Sequence, residues 1–193
     1  SKTIDPVTPL LRYDKEKLEI IGSALFCGDK MVGEIDVFQT VLLNALIEKK
    51  RVFEYVYKGG MPGGNEDLIK RGAGIMVTQF KRRIETDIID GIPLLKVHLD
   101  FNAMLDEHAD EHKLRDDDYK NELEELIGSA IKDEILTLLR HLQKVGSDPI
   151  GFGEKIRATQ NNYWRAVDWR NIYKKAEFYV TTNVNIDFYG STE

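Results

Sequence analysis

The sequence predicts an α+β fold: a mostly antiparallel sheet of about five to six strands with helices, including one long helix, packed on one face. Apolar and polar residues alternate through residues 92–105, as in a strand that buries a single face. Residues 116–145 carry apolar side chains at three- and four-residue steps, which predicts a long amphipathic helix. Strand and helix patterns are grouped along the chain, and such grouping is typical of α+β domains.

The first third of the chain predicts a hairpin followed by a helix. Residues 18–27 are almost continuously apolar and predict a central strand buried on both faces. Gly28 and Asp29 predict a turn into a short returning strand at residues 31–35. Asp36, with Gln39 three residues later, has the pattern of a capping box that begins a helix.

The middle of the chain predicts three more strands. Residues 52–57 alternate weakly and predict the first of them, and residues 58–72 predict an exposed glycine-rich loop. This loop lacks the Lys-Ser/Thr pair and the following helix of a phosphate-binding loop. Residues 73–89 and 92–105 predict a hairpin that turns at Asp90-Gly91. His98, on the polar face of its strand, is predicted to be a solvated residue without a catalytic role.

The last third predicts helices and a closing strand. Three aspartates begin the long helix at Asp116, and Gly146 supplies a left-handed residue after its end. Asp148 and Pro149 predict the start of a short helix that ends near residue 158, and residues 163–175 predict another. Residues 178–189 alternate and predict a strand long enough to lie inside the sheet.

The bulk properties predict one domain. Residues 1–16 contain two prolines and are interpreted as a linker at the start of a fragment, and residues 17–193 as a single domain. The net charge of −6 argues against a nucleic-acid partner, and no apolar run reaches the roughly 20 residues that a membrane span needs. The single cysteine, Cys27, excludes an internal disulfide and is predicted to be a small buried hydrophobic residue.

One segment suggests a metal site. Between Asp106 and His112 the sequence reads DEHADEH, so that His108 and His112 would share one face of a helix. In zinc proteases the residue after the first histidine is a catalytic glutamate, and here it is Ala109. The segment is therefore interpreted as a hydrated acidic linker, and a metal-dependent hydrolase that uses it is the least favoured alternative.

No other pattern predicts catalysis. Trp164 and Trp169 have the spacing of an aromatic ligand box, but large aromatic residues next to a sheet more often belong to the core. Nucleophile-elbow, dinucleotide-binding and kinase motifs are absent from the sequence. We therefore predict no catalytic, cofactor-binding or metal-binding residues, and no enzyme activity.

The order of several motifs resembles a known family. Gln143 is followed by Asp-x-x-Gly-Phe-Gly at residues 148–153, by Trp164 and Trp169, and by an extended tail that closes on Gly190. Residues 22–33 contribute Gly-x-Ala-x-Phe followed by Asp-Lys-x-x-Gly. In this arrangement the chain resembles the C-terminal region of the Ger(x)C family, the lipoprotein C subunits of nutrient germinant receptors in spore-forming bacteria. The chain departs from the family in lacking a Lys-x-x-Pro-like step before the first tryptophan.

The resemblance implies a function that the residues alone do not. It implies a non-catalytic domain that acts in receptor assembly and signal transmission, beside an integral-membrane A subunit and a transporter-like B subunit. It also implies attachment to the outer face of the spore inner membrane through a lipid anchor upstream of this fragment. A domain that binds a small nutrient itself is the main alternative.

Overall fold

The computed structural model of the protein describes residues 4–15, 17–47, 53–57, 73–105 and 116–187. The secondary-structure elements in these ranges are β1 (Val7–Asp14), β2 (Lys17–Cys27), β3 (Lys30–Asp36), α1 (Val37–Ile47), β4 (Phe53–Tyr57), β5 (Ala73–Ile89), β6 (Ile92–Leu105), α2 (Asp117–Val145), α3 (Phe152–Thr159), α4 (Asn161–Ala166), α5 (Trp169–Tyr173) and β7 (Glu177–Asp187).

The predicted α+β class is confirmed, but the strands form two sheets instead of one. The first sheet has the order β1-β2-β3 and is antiparallel. The second has the order β4-β5-β6-β7, so that β7 lies at an edge and not inside the sheet as predicted. The predicted single sheet of five to six strands is thus replaced by sheets of three and four strands in the described part of the chain.

The chain divides into two compact units. The first unit comprises Ser1–Glu48, Ile84–Val97 and Ile135–Tyr179. The second comprises Lys49–Arg83, His98–Glu134 and Val180–Glu193. The division falls within β5, β6, α2 and β7, and the single domain over residues 17–193 stays a prediction.

The segment interpreted as a linker contains a strand. Val7–Asp14 form β1, which pairs along its whole length with β2. Pro9 lies within this strand and cannot donate a ladder hydrogen bond. It is tolerated because β1 is an edge strand, where an amide may face away from the sheet.

Strand β2 is buried over only part of its length. Ala24 and Leu25 are buried, but Leu18 and Ile20 are exposed, so the prediction of a strand buried on both faces is wrong for its first half. The reason lies in the pairing, because β3 reaches β2 only from Gly22 onwards. Within the described ranges, the residues of β2 before Gly22 therefore pair only with β1.

Helix α1 begins at the predicted capping box. The amide of Gln39 donates to the carboxylate of Asp36 at 2.7 Å, and the Asp36 amide donates to the Gln39 side chain at 3.3 Å. Both bonds satisfy donors that a helix start leaves free. The helix then buries Leu42, Leu43, Ala45 and Leu46.

The β5–β6 hairpin matches its prediction in the bounds of both strands and in the residues of the buried face of β6. Asp90 and Gly91 have φ angles of 50° and 79°, the positive values that a tight hairpin turn of this type requires. On β6 the alternating apolar side chains are at most 2% exposed: Leu95, Val97, Leu99, Phe101 and Ala103.

Within the second unit, α2 is bonded to strand β7. The Thr182 hydroxyl donates to the carbonyl of Gly128 at 2.7 Å. The Ile186 amide donates to the Glu124 carboxylate at 2.8 Å. Because β7 is an edge strand, some of its backbone amides have no neighbouring strand to bond to. The Glu124 carboxylate provides an acceptor for one of them, the Ile186 amide.

Helix α2 ends as predicted, with Gly146 in the left-handed region at φ 75°. The Gly146 amide donates to the Gln143 carbonyl at 3.1 Å, and the Ser147 amide donates to the Leu142 carbonyl at 3.0 Å. These two bonds form a Schellman motif, which redirects the chain immediately after the helix. None of the helices in the described ranges has the length and apolar character of a membrane crossing.

We predict that Asp36→Ala lowers the free energy of unfolding by about 1 kcal/mol, because the first turn of α1 loses its side-chain acceptor. Urea denaturation followed by circular dichroism measures this loss. Glu34→Ala removes the same charge from an exposed position on β3 and should change stability by less than about 0.5 kcal/mol. Equal losses in the two variants would contradict the capping role.

Candidate functional site: the Asp148 cluster

Among the described residues of the first unit, the side chain of Asp148 forms a dense set of hydrogen bonds in the loop between α2 and α3. Asp148 is 3% exposed, and the neighbouring Ser147 is fully buried. The Ser147 hydroxyl donates to the carbonyl of Phe26 at 2.6 Å, which ties the loop to β2. The loop therefore lies inside the unit, although connecting segments are usually exposed.

The Asp148 carboxylate accepts four hydrogen bonds. One oxygen accepts from the amides of Gly151 and Phe152, each at 3.0 Å. The other accepts from the Gly153 amide at 2.8 Å and from the indole nitrogen of Trp169 at 3.2 Å. Asp148 thus caps α3 and also holds α5.

This geometry corrects the predicted start of the short helix. The sequence placed Asp148 as the capping residue and Pro149 as the first helical residue, but α3 begins at Phe152. Gly151, in the left-handed region at φ 83°, stands immediately before the helix. The carboxylate reaches the helix start across a short turn and bonds to three successive amides.

Asp5 joins the beginning of the chain to the same loop. The Asp148 amide donates to the Asp5 carboxylate at 2.9 Å, and the Asp5 amide donates to the Asp148 carbonyl at 3.2 Å. The second carboxylate oxygen of Asp5 accepts from the Gly28 amide, at the β2–β3 turn, at 2.8 Å. Sequence reasoning missed Asp5 because its partner is 143 residues away and no local pattern marks it.

Aromatic side chains surround the carboxylate. The ring centroid of Trp169 lies 5.3 Å from that of Tyr173 and 6.0 Å from that of Trp164. A Cβ atom on Gly153 would stand 2.5 Å from the Trp169 indole nitrogen, so only glycine lets the ring approach α3 this closely. Both tryptophans are half-buried, and they act as packing residues with one hydrogen bond to Asp148. We call Asp5, Asp148, Gly153, Trp169 and Tyr173 the Asp148 cluster.

Burial controls the protonation of the cluster. Loss of hydration raises the pKa of Asp148 from 3.8 to about 6, while its four N–H donors act in the opposite direction. Burial also raises the pKa of Tyr173 well above its ordinary value, and the carboxylates of Asp148 and Asp5 add to this effect. In both groups, burial makes the charged form less favourable than it is in water.

Gln143 fixes the chain that leaves the cluster. Its side-chain nitrogen donates to the carbonyl of Tyr173 at 2.9 Å and to the carbonyl of Ala176 at 2.7 Å. Tyr173 ends α5 and Ala176 immediately precedes β7. The end of α2 thereby sets the position at which the last strand begins.

The other predicted site residues do not join this cluster. The segment between Asp106 and His112 lies outside the described residues, so the metal interpretation stays untested. Among the residues that the structure describes, no group of three or more His, Cys, Asp or Glu side chains has metal-binding geometry. Cys27 is half-buried and has a free thiol.

The prediction that His98 is solvated is wrong. Its ring nitrogen Nδ1 lies 2.7 Å from the hydroxyl of Thr181, and the residue is half-buried. The cause is strand order, because β7 lies next to β6 in the sheet and brings the Thr181 hydroxyl beside the His98 ring.

The chain belongs to the family described as "Spore germination B3/ GerAC like, C-terminal", whose model matches residues 21–190. This confirms the resemblance that the motifs indicated. The matched range includes Gln143, Gly153 and both tryptophans.

Two curated relatives and one solved structure are similar to this chain. The chain is 25% identical to the "Spore germination protein GerQC" of Bacillus cereus, covering 98% of this chain and 51% of the relative. It is 23% identical to the "Putative spore germination protein YfkR" of Bacillus subtilis (strain 168), covering 95% and 48%. The crystal structure of the GerBC protein has the same fold, with a TM-score of 0.72 at 17% identity, covering 95% of this chain and 56% of that one. The chain thus spans about half the length of the curated relatives it matches.

We predict that Asp148→Ala lowers the free energy of unfolding by about 3 to 5 kcal/mol, because four N–H donors lose their acceptor. The measurement is urea denaturation followed by tryptophan fluorescence. Asp168→Ala is the matched control, since Asp168 also caps a helix but is exposed, and it should cost about 1 kcal/mol. Similar losses would show that the buried position of Asp148 has no special weight.

The stability contributed by Asp148 should also depend on pH. Its folded pKa of about 6 lies above its ordinary 3.8, so the folded state holds this proton more tightly than the unfolded state does. The part of the stabilisation that comes from holding this proton is complete below about pH 4 and is lost as the pH rises through about 6. The difference in free energy of unfolding between the wild-type protein and Asp148→Ala should therefore become smaller as the pH rises from about 4 to about 6. A constant or widening difference would contradict the raised pKa.

Proposed function

We propose that this chain is the C-terminal domain of the C subunit of a nutrient germinant receptor in spores. In this role it acts without catalysis, in assembly of the receptor and in transmission of its signal. The observation that carries the proposal is the family match over residues 21–190, which includes most of the residues that build the Asp148 cluster. Relatives that cover the chain almost completely are named spore germination proteins.

The arrangement of the motif residues supports a scaffold role. The carboxylate of Asp148 is occupied by four internal donors, and the amide of Gln143 bonds to two backbone carbonyls. Gly153 leaves the space into which the indole ring of Trp169 packs. These groups hold helices and chain segments in fixed positions, and fixed positions are what an assembly surface requires.

The partners we propose are the integral-membrane A subunit and the transporter-like B subunit of the same receptor. The location we propose is the outer face of the spore inner membrane, with a lipid anchor in a part of the full-length protein outside this chain. Two observations support this proposal: the chain belongs to the family, and it corresponds to about half of each curated relative. The other half of a relative is long enough to carry an anchor and further contacts.

The test uses spores that carry the full-length protein without residues 17–193, or with Asp148→Ala. We expect both changes to abolish or strongly slow nutrient-triggered germination, because the scaffold is removed or loosened. The germination rate is measured together with the amounts of the A and B subunits in the same spores. Spores with Asp168→Ala serve as the control and should germinate normally.

The outcomes separate two ways of acting. Loss of germination with normal A and B levels supports signal transmission, and loss accompanied by disappearance of A and B supports assembly. Germination at the wild-type rate without residues 17–193 would overturn the proposal. Thermal stabilisation of the protein by an amino acid, sugar or nucleoside would instead favour the alternative of direct nutrient binding.

A further inference from the structure

The β1–β2 hairpin carries an apolar face that the described residues leave uncovered. Leu11 pairs with Ile20 and Tyr13 pairs with Leu18, so the four side chains form two adjacent rungs on one face. Their exposed fractions are 51%, 64%, 73% and 66%, in that order. Apolar residues that are exposed singly are ordinary, but a contiguous group marks an interaction site. We call these four residues the ribbon face.

The geometry of the hairpin makes this exposure unusual. β3 pairs with β2 only from Gly22 onwards, so that β1 and β2 continue beyond it as a two-stranded ribbon. The opposite face of the ribbon is polar, and Arg12 and Glu19 form an ion pair there at 3.1 Å. Two-stranded ribbons are marginally stable in water unless another surface packs on them. A surface that covers the ribbon face would supply the missing support.

The lengths of the relatives indicate where that surface comes from. The family model is described as C-terminal, and the chain covers 51% and 48% of two curated relatives. In full-length members, a region of comparable size therefore precedes the matched domain. β1 lies ahead of the matched residues 21–190, but the similarity to the Bacillus cereus relative covers 98% of this chain and so includes β1. The preceding region is therefore joined, through residues 1–6, to the strand that carries half of the ribbon face.

The connection to β1 is held in place. Asp5, two residues before β1, bonds to the amides of Asp148 and Gly28. The side chain of Ile4 lies against Gly151, where an added Cβ would be 3.1 Å from it. A chain fixed at residues 4 and 5 delivers the preceding region in a defined direction, whereas a free linker would leave its position open.

We propose that the ribbon face is the docking surface for an apolar surface of the region that precedes this domain in the full-length polypeptide. The charges around the ribbon support a protein surface. Arg12, Lys15 and Lys17 are interspersed with Asp14 and Glu19, and such mixed charge lacks the cationic excess with which proteins bind anionic lipid surfaces. This inference goes beyond the proposed function and does not depend on it, since it uses only family membership and the local structure.

The test is photo-crosslinking of the purified full-length protein. Tyr13 is replaced by the photoreactive analogue p-benzoylphenylalanine, which keeps an aromatic ring at an exposed position. After irradiation, cross-linked peptides are identified by mass spectrometry. We expect most cross-links from position 13 to join the region that precedes residue 1 within the same polypeptide.

The same analogue at Ile89 is the control, because this residue is 54% exposed in the first unit but lies outside the ribbon face. Position 89 should give at least tenfold fewer cross-links to the preceding region. Cross-links from position 13 to a second copy or to added lipid vesicles would overturn the proposal, as would a yield no higher than at position 89. These readouts are independent of germination, so a failure here is distinguishable from a failure of the proposed function.

Discussion

The first unit depends on a carboxylate that is removed from water and surrounded by N–H groups. Asp148 is 3% exposed, and its four donors come from the start of α3 and from Trp169. Burial of a carboxylate is unfavourable unless hydrogen bonds replace its hydration. The four donors therefore act together to offset the cost of removing this carboxylate from water. Through its backbone the same residue bonds to Asp5, near the beginning of the chain. The loop between α2 and α3 thereby connects segments that are separated by most of the sequence.

The residues that carried the resemblance to the family also form the contacts around this loop. Gln143, Asp148, Gly153 and Trp169 each form an intramolecular contact whose geometry constrains the residue type. A motif of this kind resembles an active-site signature in the sequence, because both consist of polar, aromatic and glycine residues at fixed spacing. The motif differs from an active site because its polar groups are buried and already bonded within the chain, and only the three-dimensional structure shows this.

Local features were predictable, and features set by distant contacts were not. The capping box at Asp36, the Asp90-Gly91 turn and the Gly146 helix end all rest on bonds between neighbours in sequence. The division into two sheets, the edge position of β7 and the environment of His98 depend on which strands become neighbours, and periodicity carries no such information. Asp5 illustrates the limit, since a single aspartate gives no signal of a partner in the last third of the chain.

Exposure along β2 shows how a strong apolar run can mislead. Residues 18–27 have the composition of a strand buried on both faces, yet burial begins only where β3 joins the pair. An apolar run predicts that a surface is buried, but it does not identify the element that packs on that surface. The covering surface proposed for the ribbon face lies in the preceding region of the full-length protein, and the bonds of Asp5 hold the segment that joins that region to β1.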